Sequence, residues 1–294
     1  MLHSGLARFM DLLHLQNFDM AIVHCELFPL FPGRLEGMLI RKPYIYDFDD
    51  AFYLKYRTGK LKVARPFLGR KFDNIMAGAA AVTAGNRVLS EYARHFNPKT
   101  YELPTVVDTD RYIPRPSYRN GQSFTIGWIG SPSTALFLSE LIEPLSVIGQ
   151  EGPVKFVVIG GKAPVVPNVE VVEIEWNEHT EVDLINSFDV GVMPLPHNDW
   201  ARGKCAFKLI QYMACAVPVI ASPVGANVDV LKKDCGLLAA TPQEWIDMLR
   251  VLRDQPIKRA EMGHVGRKQI IDHYSLRHNL PLFTGIIREV AGRN

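Results

Sequence analysis

Two lysines, a run of aspartates and a glycine turn are the features of this chain whose residue types and spacing could do chemistry. The lysines lie in GKCAFKLIQYMACAVPVIASPVG, Gly203 to Gly225. At helical spacing Ala206, Leu209, Ile210, Met213 and Val217 form one apolar stripe, and Lys204, Lys208 and Gln211 share a different face. Pro218 marks the stop, and Val219–Ala221 reads as a buried strand ending in a Ser222-Pro223 turn and Gly225. Like charges at i, i+4 repel by roughly 0.2–0.5 kcal/mol, and cations near a helix N-terminus oppose its dipole. An anion held by the amides of the first turn removes both penalties, and phosphate is the usual one. The alternative is two lysines solvated on an exposed face.

The elements that must position these groups follow a strand–helix rhythm. In the first half, residues 5–16 read as an amphipathic helix and Phe18–Val23 as a strand, followed by a loop through HCELFPLFPGR. Pro43–Phe48 is a second strand that runs into Asp47, Asp49 and Asp50. A basic helix over Lys62–Met76, a strand over Ala79–Ala84, a helix over Asn86–Phe96 and a short strand over Thr100–Leu103 complete this half. Pro104–Gln122 has three prolines and little periodicity, and reads as an interdomain linker. A second set begins with FTIGWIG, Phe124 to Gly130, a strand entering a Gly-x-x-Gly turn, and a helix that Ser131 or Ser133 could cap. Strands are expected at Lys155–Gly160, Val169–Ile174 and Val190–Met193, with a short helix over His179–Ser187. Thr241-Pro242-Gln243-Glu244 is a capping box with proline in the first turn. Helices over Arg259–His273 and Pro281–Ala291 close the chain, the second with its proline at the first position. The fold class expected is α/β with parallel sheets. Ligands of such sheets bind beyond the carboxyl ends of the strands, where the lysines and both glycine turns would converge.

Composition narrows the function classes. The 294 residues suffice for two domains; 47% are hydrophobic and 22% charged, as in a globular protein. A formal net charge of +2 gives no global field for nucleic acid. No apolar run approaches the ~18–20 residues of a membrane span, and the first residues lack the pattern of a signal peptide. Four cysteines without CxxC spacing and nine scattered histidines suggest reduced thiols, a cytoplasmic location and no metal site.

Several of these stretches, in order, resemble the GT-B-fold retaining glycosyltransferases, in particular glycosyltransferase family 4 (glycosyl transferases group 1). AAAVTAGNRVLSEYARHF is similar to the strand and helix before that family's linker, and ELPTVVDTDRY to its P-N-G-V-D-x-x-x-F stretch. FTIGWIG resembles the opening strand of its nucleotide-sugar domain. KLIQYMACAVPVIASPVGAN resembles its LLEAMACGxPVVASxxGG segment, the most specific of the matches. The resemblance implies two Rossmann-like domains: residues 1–115 on the acceptor side, 122–275 binding a nucleotide sugar, and a closing helix, 276–294, crossing back. It lacks the family's initial strand and glycine-rich loop, so the first domain is expected to be incomplete, with an exposed sheet edge.

The resemblance also implies the chemistry: transfer of a sugar from a nucleoside diphosphate to a glycan or lipid-linked acceptor, with retention and no required metal or other cofactor. It implies Gly130, Ser131, Arg202, Lys204, Phe207, Lys208 and Gln211 as donor-binding residues. Two departures stand out. The family's two glutamates, eight residues apart, align with Gly203 and Gln211, and its Arg and Lys after the first strand of the second domain are replaced by Gly130-Ser131-Pro132-Ser133. Where the family has a histidine in the first domain this chain has Asp49, which with Asp50 is the expected catalytic pair, while Glu26 and Asp47 fall on the acceptor side. A turn-forming role for the aspartates is the alternative. The aromatic and basic stretch Phe52–Lys71 would suit peripheral contact with the inner face of a membrane, or be a solvated face. A non-catalytic nucleotide-sugar-binding partner of an active transferase, or a GT-B-type epimerase, are the rival functions.

Overall fold

The computed structural model describes residues 2–115, 123–232 and 234–292. They divide into two compact units. Unit 1 comprises residues 1–105, 198–205 and 279–294; unit 2 comprises 106–197 and 206–278. The last part of the expected linker, residues 116–122, lies outside the described residues, and so does the expected domain start at 122. Its first part is not free linker. Val107 pairs with Ser275, and Tyr112 is buried within unit 2.

Unit 1 carries a parallel sheet in the order β1-β2-β3-β4, formed by Ala21–His24, Tyr44–Phe48, Ala81–Ala84 and Thr100–Glu102. β1 is an edge strand, with Ile22 half exposed. Tyr46, Phe48, Phe72, Ile75, Met76, Val82 and Leu89 form the core on one face. On the other, Ile286 of the closing helix joins Ile45 and Ala81. That helix runs over Leu276–Val290, so Pro281 lies inside it rather than at its start. The overlooked signal is Ser275, whose Oγ accepts from the His278 amide as a cap does.

Two other readings of unit 1 change. The loop after β1 contains a short helix, Gly33–Leu39, entered from Pro32. Gly33 is needed there, because a Cβ would fall 2.1 Å from the Lys71 carbonyl oxygen. The expected basic helix is broken into a 3-10 segment over Gly59–Ala64 and helices over Arg65–Leu68 and Lys71–Gly78. Pro66 has no amide hydrogen to extend an earlier helix, which accounts for a break there.

Unit 2 carries a six-stranded parallel sheet of β5 (Phe124–Ile129), β6 (Val154–Ile159), β7 (Glu170–Ile174), β8 (Val190–Met193), β9 (Val219–Ala221) and β10 (Leu237–Leu238). Their spatial order is β10-β9-β8-β5-β6-β7. Counted from β5 this is 3-2-1-4-5-6 read from β7, the Rossmann order, in which the strand order reverses between the first and fourth strands. Burial on both faces explains the continuous apolar runs in β5, β6, β8 and β9. The capping box forms as expected: Thr241 Oγ1 accepts from the Glu244 amide, and the Glu244 carboxylate accepts from the Thr241 amide.

Gly127 lets Phe188 reach β5, since an added Cβ would lie 2.1 Å from the ring. Gly127→Ala should therefore destabilise unit 2 by about 1–3 kcal/mol through overpacking. Thermal and urea denaturation would read this as a lower midpoint; an unchanged midpoint would contradict the packing described.

Candidate functional site

In unit 2 the switch point falls between β5 and β8, so the residues following β5 are where such a sheet takes a ligand. Gly130 is the first of them, and its amide donates to the Ile159 carbonyl at 3.0 Å. A Cβ on Gly130 would fall 2.5 Å from Lys208 Cε and 2.6 Å from the Trp128 ring. Only glycine leaves room for the lysine stem across this turn. Lys208 Nζ stands 5.4 Å from the centre of the Trp128 ring, whose face attracts the cation. Ser131 Oγ lies 2.9 Å from Ser133 Oγ and 3.4 Å from Thr134 Oγ1, which places three hydroxyls directly after the glycine. Gly160, with φ +76°, ends β6 beside them; a Cβ there would meet the Gly130 carbonyl oxygen at 2.5 Å. A cation and hydroxyls beside a glycine turn at the strand ends suit an oxyanion such as phosphate.

The helix expected to start near Gly203 starts at Phe207 and ends at Ala214. Ala206 takes a left-handed φ of 56° and breaks the chain direction before it. The apolar stripe is buried as expected, with Leu209, Ile210 and Met213 fully inside. The lysines, however, do not share a helix face. Lys208 is in its first turn, and Lys204 precedes it in unit 1. Phe207 is exposed and Gln211 is buried. Gln211 Nε2 donates to Tyr112 Oη at 2.9 Å, and Tyr112 donates to Glu181 Oε1 at 2.7 Å. Burial, and then the bond to Glu181, push the Tyr112 hydroxyl well above its ordinary value. The Gln211 amide group expected to bind the donor is thus engaged within unit 2.

In unit 1 the carboxyl ends of β1, β2 and β3 bring together His24, Asp47–Asp50 and Gly85–Asn86. Asp47 Oδ1 accepts from Thr83 Oγ1 at 2.7 Å, and Asp47 Oδ2 lies 3.1 Å from His24 Nδ1. His24 Nε2 is 3.7 Å from Asp49 Oδ1. Asp47 thereby fixes the imidazole, leaving Nε2 beside a second, half-exposed carboxylate. This arrangement can take up or hold a proton from a hydroxyl. His24 was not among the expected site residues. The parallel register, which pairs His24 with Asp47, is the signal that could have found it.

The segment Asn198–Cys205 completes this cluster. Asn198 caps the short helix Asp199–Arg202. Gly203 packs on Ala51, where a Cβ would meet Ala51 Cβ at 2.6 Å, so no glutamate fits at this position. Lys204 Nζ reaches Asp50 Oδ1 at 3.3 Å. The expected donor-binding lysine and the expected catalytic aspartate are therefore partners. Arg202 is exposed and stands 3.9 Å from Asp199. Cys205 Sγ donates to the Asp49 carbonyl at 2.9 Å, and burial, with the nearby Asp49 charge, pushes its thiol up to about 12.

Glu26 is occupied elsewhere. Its carboxylate pairs with Lys55, with Lys71 Nζ at 2.6 Å and with Tyr56 Oη at 3.0 Å. Lys71, fully buried, also holds Glu36 at 2.8 Å. This is a structural ion cluster rather than an acceptor-facing group. Among the described residues no group of three or more His, Cys, Asp and Glu side chains is placed to hold a metal ion, and no helix is long and apolar enough to cross a membrane.

Residues 123–254 match the family model described as "Glycosyl transferases group 1". No curated protein matches the chain in sequence. Among solved structures, HepE of Anabaena in complex with UDP and glucose superposes with a TM-score of 0.71 at 15% identity, covering 95% of this chain and 80% of that one. Sucrose-phosphate synthase of Thermosynechococcus elongatus gives 0.67 at 16%, with coverage of 95% and 75%. A glycosyltransferase of Rickettsia africae gives 0.69 at 12%, with coverage of 99% and 82%. These likenesses show the fold, two Rossmann-like units of the GT-B type.

Burial raises the Glu26 carboxyl, but hydrogen bonds from Lys55 and Lys71 outweigh it, and the net direction is below 4.5. A carboxyl lowered on folding stabilises the protein above its unfolded value and loses that contribution as pH falls through the folded one. Unit 1 should therefore weaken as pH drops below 4.5, and Glu26→Gln should flatten that dependence. Urea denaturation on either side of this pH would show it; identical pH profiles for the two proteins would contradict the assignment.

Proposed function

We propose that this chain is a glycosyltransferase that moves a sugar from a nucleoside-diphosphate donor to a hydroxyl of a glycan or lipid-linked acceptor. The observation that carries this reading is the turn after β5, where Gly130, the Ser131–Thr134 hydroxyls and Lys208 meet at the switch point of unit 2. Support comes from the family match over the same residues. The UDP and glucose held by HepE put uridine nucleotides first among the donors to test.

In this reading Lys208 and the Ser131, Ser133 and Thr134 hydroxyls bind the diphosphate, whose charge grows as the glycosidic bond breaks. A preorganised cation there lowers the barrier. Phe207 flanks the site, and Gln211 acts by holding the helix that carries Lys208. In unit 1 Asp47 orients His24, and His24 Nε2 with Asp49 positions the acceptor hydroxyl and receives its proton. Asp50 acts through Lys204. Retention of configuration, a cytoplasmic site of action and independence of metal belong to the same proposal.

The test is release of nucleoside diphosphate from a panel of nucleoside-diphosphate sugars in the presence of mixed glycan and lipid-linked acceptors. One donor should turn over. His24→Gln and Asp49→Asn should each reduce turnover by about 10²-fold or more while nucleotide affinity stays the same. Nuclear magnetic resonance of the product should show the donor's anomeric configuration. Tight nucleotide binding without turnover of any donor would favour the non-catalytic module, and conversion of the sugar nucleotide by itself would favour the epimerase.

A further inference from the structure

Between Ala51 and Phe72 the chain carries seven cationic side chains and no carboxylate. Three of them are engaged inside unit 1: Lys55 and Lys71 on Glu26, and Arg57 on Asp73. The other four, Lys60, Lys62, Arg65 and Arg70, are exposed. Of these only Arg70 approaches a carboxylate among the described residues, at 3.9 Å from Asp73.

Large apolar side chains alternate with these cations. Val63 is 81% exposed and Phe67 is 85% exposed, with Leu61 beside them at 38%. The backbone beneath is not loose. Leu68 and Phe72 are buried in the core, and Arg57 Nε donates to the Gly69 carbonyl at 2.6 Å. A firmly anchored ridge therefore presents unpaired positive charge and uncovered hydrocarbon together.

We propose that residues 58–70 dock unit 1 onto an anionic lipid bilayer. Val63 and Phe67 enter the boundary between headgroups and acyl chains, and Lys60, Lys62 and Arg65 face the headgroup phosphates. Charge complementarity identifies the partner as anionic, and the apolar residues identify it as a bilayer. A polyphosphate or nucleic acid would account for the cations but not for Val63 and Phe67. The proposal stands apart from the sugar-transfer reading, and its test uses no nucleotide.

The experiment is co-sedimentation with vesicles of phosphatidylcholine plus phosphatidylglycerol, against vesicles of phosphatidylcholine alone. The wild-type protein should bind only the mixed vesicles, and added salt should weaken binding. Lys60→Gln/Lys62→Gln should lower partitioning by about tenfold or more, given a roughly fivefold contribution from each cation near an anionic surface. Val63→Gln/Phe67→Gln, at exposed positions that leave folding intact, should lower it comparably. Absent binding to the mixed vesicles, or equal binding to both kinds, would overturn the proposal. Loss in the lysine variant with full binding in the Val63/Phe67 variant would overturn it as well and point to a soluble polyanion.

Discussion

Asn86 is a small buried side chain that two parts of unit 1 share. Its Oδ1 accepts from the Leu89 amide and starts the helix after β3, while its Nδ2 donates to the carbonyls of Gly203 and Lys204. Leaving a buried carbonyl unpaired costs about 1–3 kcal/mol, so this one amide fixes a segment more than a hundred residues away in sequence. With Gly203 seated against Ala51 and Cys205 bonded to the Asp49 carbonyl, Lys204 is delivered to Asp50. Ala206 must then turn left-handed before Phe207 can begin its helix. A four-residue spacing that looks like one face of a helix becomes two lysines serving two units.

The consequences for charge follow from that geometry. Asp47, Asp49 and Asp50 sit within four residues and would repel one another. Asp47 and Asp49 share His24, Asp47 also has Thr83, and Asp50 has Lys204. These partners come from β1, β3 and the Asn198–Cys205 segment. In unit 2 the logic is different. Lys208 lies along an aromatic face over glycine, where its stem is packed and its charge is held near the strand ends.

Much of the fold was legible in the sequence because parallel strands buried on both faces leave unbroken apolar runs. VGVM and VIA were read with their observed limits, Val190–Met193 and Val219–Ala221, and the Thr241 capping box was readable residue by residue. Long-range contacts were not legible. Nothing local shows that Gly203 must be bare because Ala51 lies against it, or that Gln211 turns inward to Tyr112. The role of His24 is hidden from the sequence for the same reason, since only the register of β1 on β2 sets it beside Asp47. Glu26 looked like a site carboxylate at a strand end, yet two lysines distant in sequence claim it.

The proposed sugar transfer depends most on an oxyanion site made by Lys208 and the turn after β5. Calorimetric titration of uridine, guanosine, adenosine, cytidine and thymidine diphosphates into the wild-type protein and Lys208→Ala tests it directly. One nucleotide should bind the wild type, and the substitution should weaken it by about tenfold or more, as expected for the loss of a charged hydrogen bond worth about 1.5–3 kcal/mol. The same affinity in both proteins, or no binding of any nucleotide to the wild type, would contradict it.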